Sequence, residues 1–136
     1  MSETTSGDRK EMDAAIKAVV VPALREKGFA GSFPHFRRAS ARGMDLLTFQ
    51  FDRHGGGFII EIGCCAPEGV TTHWGKHTPA TKATAWDLLP DRRHRIQPRP
   101  GSGRDAWFRF EGERPEAVAS LVVDLLPEAE QWWVNQ

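Results

Sequence analysis

Residues 46–65 read LLTFQFDRHGGGFIIEIGCC, and this stretch constrains the chain more than any other. Leu47, Phe49 and Phe51 alternate with Thr48, Gln50 and Asp52. Beyond three glycines, Phe58, Ile60 and Ile62 alternate with Ile59, Glu61 and Gly63. A period of two places each apolar set on one face of a strand, so the stretch predicts a half-buried antiparallel hairpin. Its turn falls at His54–Gly57, where glycines accept positive φ. This hairpin is expected at the centre of a small sheet, with a helix before it and another after it.

Upstream, residues 1–10 are expected to form a flexible terminus and residues 11–136 a single domain. Met12, Ala15, Ile16, Val19, Val20, Ala23 and Leu24 recur at helical spacing, with Asp8 as N-cap and Gly28 just past the end. Pro22 lies inside that pattern and predicts a kink or break. Ser32–Ala39, with Phe33, Pro34 and Phe36, reads as an edge strand. Ala66–Leu89 shows no sustained period. Arg92–Gln97 and Ala106–Glu111 read as short strands on either side of the turn sequence PRPGSG. Pro115 then opens a helix carrying Val118, Leu121, Val122, Leu125 and Leu126, with a kink expected at Pro127. Trp132 and Trp133 cannot share one helical stripe, so one of them is expected at the surface. The order predicts an α+β fold: an antiparallel sheet of about five strands, with N-terminal and C-terminal helices packed on one face.

A formal net charge of zero gives no global attraction to nucleic acid or an anionic membrane. No apolar run is long enough to span a bilayer. Cys64 and Cys65 are adjacent and point to opposite strand faces, so free thiols and a cytoplasmic setting are expected. Cys64 shares the parity of Ile60 and Ile62 and is expected in the core. Cys65 shares that of Glu61 and is expected to be exposed.

Four pieces stand in a distinctive order: VVPALREKGFAG, HFRR, the hairpin LLTFQFDRHGGGFIIEIG, and RRHRI followed by DAWF. Together they resemble the DUF4304 family of small bacterial proteins of unknown function. The resemblance implies an α+β fold and a cytoplasmic bacterial protein, and it carries over no catalytic residues. Pro67–Asp91 and the double tryptophan fall outside the pattern.

Several groups of residues bear on chemistry. His73 and His77 in HWGKH, with Cys65, form a weak candidate zinc set; no CxxC or HExxH accompanies them, so no metal is assigned. Cys64 or Cys65 beside a histidine would suit thiol chemistry, but a buried free cysteine is commonly a small hydrophobe. Gly55–Gly57 lie between strands and do not form a phosphate loop. Glu61, with Gln50 and Asp52, reads as a solvated or salt-bridged sheet face. Arg92, Arg93, Arg95, Arg99 and Arg104 lie close in sequence to Trp107 and Phe108, and Arg and Trp are enriched at protein interfaces. Arg93, Arg95, Trp107 and Arg109 are therefore the candidate binding residues.

The resulting expectation is a non-enzymatic module, monomer or homodimer, that binds another protein; toxin neutralisation is one example. The alternative is a small-ligand or metal-binding protein, a hydrolase among the options, using His73, His77, Cys65 and Glu61. RNA binding is the third option. No cofactor and no membrane partner are expected.

Overall fold

The computed structural model describes residues 5–136. It is an α+β structure whose sheet is built on the hairpin. Helix α1 spans Thr5–Ala15, a π-turn covers Ile16–Val20, and α2 spans Val21–Glu26. The terminus expected to be loose over 1–10 is therefore helical from Thr5, and Asp8 lies within α1 rather than at its cap. Residues 1–4 lie outside the described residues. Pro22 produces no open break. It sits in the first turn of α2, and the wider π-turn before it bonds Val21 N–H to the Ile16 carbonyl five residues back.

Strands β1 (Ala30–Ser32), β2 (His35–Ser40), β3 (Gly43–Phe51) and β4 (Gly57–Cys65) follow as an antiparallel meander. Phe33 and Pro34 form the β1–β2 connection, so the single edge strand expected over 32–39 is two strands. The central register pairs Phe51 with Phe58, Phe49 with Ile60 and Leu47 with Ile62. A small hairpin follows, made of β5 (Val70–Thr71) and β6 (His77–Thr78). Strands β7 (His94–Arg95) and β8 (Phe108–Arg109) share the outer edge of β4, with the 98–103 turn sequence between them. Helix α3 runs unbroken from Pro115 to Val134, through Pro127. Among the described residues, no helix is long and apolar enough to cross a membrane.

The helices cover one sheet face. Met12, Ile16, Val20 and Leu24 meet Phe36, Leu47, Phe49, Phe58, Ile60 and Ile62 from one side, and Val118, Val122, Leu126 and Trp133 meet them from the other. The aromatic rings continue this core to the outer edge, where Phe58 stacks on Phe108 at 5.1 Å between centroids. Trp133 is buried, and its indole N–H donates to the Gly63 carbonyl at 2.8 Å. Trp132 is half-buried and stacks on His94, so neither tryptophan stands free.

The opposite face is covered too, by the segment without sequence period. Ala80, Ala83 and Leu88 pack on Leu46 and Cys65 as a second, smaller core. Gly63 makes room for this layer: a Cβ there would lie 2.4 Å from Leu88 Cδ1. Gly69, at φ +103°, lets the chain pass where a Cβ would lie 2.2 Å from the Thr78 carbonyl oxygen.

Trp133→Ala should cost about 3–5 kcal/mol by removing a large buried ring. Trp133→Phe should cost only about 1 kcal/mol, chiefly the indole hydrogen bond, because the Gly63 carbonyl keeps its place in the ladder opposite Leu46. Urea unfolding followed by circular dichroism separates the two.

Candidate functional site

The second face is organised around a carboxylate. Glu61 points away from the helices at the middle of β4 and is 4% exposed. Arg93 Nη1 donates to its Oε1 at 3.0 Å, and Arg95 Nε donates to its Oε2 at 3.1 Å. Other donors of both arginines bind backbone carbonyls. Arg93 reaches Leu88 and Trp86, and Arg95 reaches Arg104. Arg93 and Arg95 thus converge on one acid, Glu61. The Arg93 guanidinium therefore ties the cover to the sheet at Trp86 and Leu88, and the Arg95 guanidinium ties down the following loop at Arg104.

More anchors tie down the same segment. Arg37 of β2 donates to the carbonyls of Ala83 and Lys82. The Ala85 N–H donates to Thr48 Oγ1 at 3.3 Å. Asp87 accepts the Thr84 N–H at 2.9 Å and closes a tight turn around Trp86. The chain from 80 to 93 is thus fixed at its base, while three large apolar side chains of the wider 66–93 segment face outward: Trp74 at 62% exposure, Trp86 at 43% and Leu89 at 48%.

Trp86 and His35 frame an open groove of about 360 Å³, also lined by Lys76, His77, Lys82 and Asp87. The two rings meet edge to face at 4.9 Å. His35 Nδ1 lies 3.1 Å from Thr48 Oγ1. The buried Thr48 hydroxyl accepts from Ala85 and has one proton to donate, which Nδ1 takes when the ring proton is on Nε2. Burial, followed by the nearby Arg37 charge, holds the imidazole below its ordinary pKa, in keeping with a neutral ring.

Trp107 and Arg109 lie apart from the Glu61 clamp, at a groove of about 290 Å³ that Arg99 and Leu121 also line. The Arg109 guanidinium sits 5.3 Å over the Trp107 ring and is loosely paired with Asp52 at 3.8 Å. The four candidate binding residues thus divide into two inward anchors, Arg93 and Arg95, and one outward pair, Trp107 and Arg109.

The weak metal set does not assemble. His73 packs edge to face on Trp74, His77 Nδ1 lies 3.2 Å from Thr71 Oγ1, and Cys65 is buried beneath the cover. Among the described residues, no group of three His, Cys, Asp or Glu side chains is placed to hold a metal ion. His77 lines the Trp86 groove, Cys65 lines a different groove beside Trp132, and Glu61 lines neither. The burial expected of the thiols is reversed: Cys65 is buried and Cys64 half-buried. Strand parity was correct, but the face assigned to solvent is covered. Burial pushes both thiol pKa values up, reinforced by Asp45 at Cys64 and by Cys64 at Cys65, so neither is activated as a nucleophile.

One ionic cluster escaped the sequence reading. Asp45 is fully buried on the helix-covered face, where it receives Arg38, Arg42 and the Ser40 hydroxyl. Arg38 also binds Glu130 of α3 and lies 4.5 Å over the Phe29 ring. The available signal was an aspartate in phase with Leu47 and Phe49.

The architecture is that of an α+β protein with a six-stranded antiparallel sheet, helices on one face and an irregular cover on the other. The chain belongs to the DUF4304 family, a domain of unknown function, whose family model matches residues 20–136. No curated protein and no solved structure matches it.

Glu61→Ala should destabilise the fold by roughly 3 kcal/mol, because it leaves two guanidiniums without their carboxylate under the cover. Limited proteolysis should then show faster cleavage within 80–93. His35 carries a separate pH signature. Its folded pKa lies below the unfolded value, so its contribution to stability is complete above the unfolded pKa and declines as pH falls from there toward the folded value. His35→Gln should flatten that part of a stability–pH profile measured by urea denaturation.

Proposed function

We propose that the protein is a non-enzymatic binding module whose partner is another protein, a toxin that it neutralises being one example. The 66–93 segment is the surface that the partner meets. The observation that carries this reading is the outward display of Trp86 and Leu89 on a stretch pinned to the sheet by Arg37, Thr48 and Arg93, with Trp74 exposed in the β5–β6 turn of the same segment. Exposed tryptophans present large, stiff apolar area, and their burial dominates many interfaces. A surface whose base is already ordered loses little entropy when a partner docks. The side chains on which a hydrolase reading depends are otherwise engaged: Glu61 by two arginines and Cys65 by the second core.

The test is capture by the tagged full chain from a lysate of its own source organism. One protein should be retained in stoichiometric amount. The Trp74→Ala/Trp86→Ala variant should lose it while keeping its melting temperature and circular dichroism. Undiminished capture by that variant, or loss only with Trp107→Ala/Arg109→Ala, would move the surface elsewhere. Absence of any retained protein would overturn the reading.

A further inference from the structure

We propose that the groove lined by His35 and Trp86 takes an acidic segment of the partner protein, with carboxylates held by Lys76 and Lys82 and an apolar side chain laid against Trp86. This rests on the binding-module reading above and names the chemistry of what is bound.

The groove's composition carries the inference. Its ionisable lining is Lys76 and Lys82 against Asp87, together with His35 and His77. Asp87 is partly committed, because its Oδ2 accepts the Thr84 N–H. Both lysines are exposed, and among the described residues neither is paired with a carboxylate. Two lysines against one aspartate give the groove a surplus positive charge beside an exposed indole. His35 adds a neutral donor at Nε2 in the tautomer that leaves Nδ1 to accept from the Thr48 hydroxyl. Cations, a neutral donor and an aromatic ring complement a ligand that alternates acceptors with apolar groups.

An acidic peptide fits these features better than RNA does. A nucleic-acid strand needs a track of cations along many phosphates. Arg37 and Arg93, which bond to the backbone of the groove residues Lys82 and Trp86, are held internally: Arg37 on the Lys82 and Ala83 carbonyls, and Arg93 on Glu61. The net charge of the whole chain is zero. What remains is a short site of two point charges, open and about 360 Å³ in volume, suited to a few residues of a protein segment.

The experiment is an NMR titration of the isotope-labelled full chain with a peptide of alternating glutamate and leucine. A lysine–leucine peptide and an oligouridylate of matching charge serve as comparisons. Saturable shifts should centre on the Trp86 indole, His35, Lys76 and Lys82, and should weaken with added salt. Lys76→Glu/Lys82→Glu should reduce the affinity roughly tenfold or more, as loss of close charge complementarity does. Absence of saturable shifts, shifts centred on Trp107 and Arg109, indifference to charge reversal, or tighter binding of oligouridylate would each overturn the inference. Capture from lysate separates it from the reading beneath it. A partner lost with Trp86→Ala but kept by Lys76→Glu/Lys82→Glu removes the acidic segment and leaves the surface standing. A partner kept by both variants removes both.

Discussion

Glu61 is the constraint on which the outward surface depends. A carboxylate at the middle of a covered strand is costly unless both oxygens are matched, and here each receives a guanidinium. The two arginines also donate to carbonyls of Trp86, Leu88 and Arg104. One buried charge thereby fastens two irregular stretches of backbone that no strand ladder holds. The contribution is to specificity of shape: the pairing sets where the cover lies and which way Trp86 faces.

The same economy recurs at Thr48. Its hydroxyl accepts the Ala85 N–H and lies against His35, so one buried side chain joins the sheet, the cover and the groove wall. At the end of the sheet, Asp45 plays a comparable part on the helix side, where Arg38 links it to Glu130 of α3. Polar groups thus hold both covering layers, while apolar packing supplies the bulk of the driving force. The helix-side core is continuous and aromatic, and the opposite core is small and built of alanines with Leu46, Cys65 and Leu88. A thin layer of that kind keeps the backbone close to the sheet and leaves its larger side chains turned outward.

The central hairpin was legible because its two strands alternate cleanly and its turn is rich in glycine. Helix α3 was legible because Val118, Val122 and Leu126 repeat at helical spacing. The ends and interruptions were less so. Pro22 and Pro127 read alike as kinks, yet the structure accommodates one with a π-turn and continues a helix through the other. The burial of Cys64 and Cys65 was inverted because alternation reports which residues share a face, not whether something covers it. Arg93 and Arg95 were singled out by composition, and their inward role follows from a glutamate 32 and 34 residues away. Trp86 gave no comparable signal, because it belongs to a segment without a period.

The sequence by itself determined the α+β class, the central hairpin and which residues share each of its faces. Those features arise from local periodicity and turn chemistry, which neighbouring residues encode. Only the tertiary structure decided that the second face is covered, that Glu61 gathers Arg93 and Arg95, and that His35 of β2 packs on Trp86 at the lining of a groove. Those contacts join residues tens of positions apart with no repeating pattern between them. Their cause is the need to satisfy buried charge and backbone groups in three dimensions, a requirement that takes a specific form only when the chain is folded.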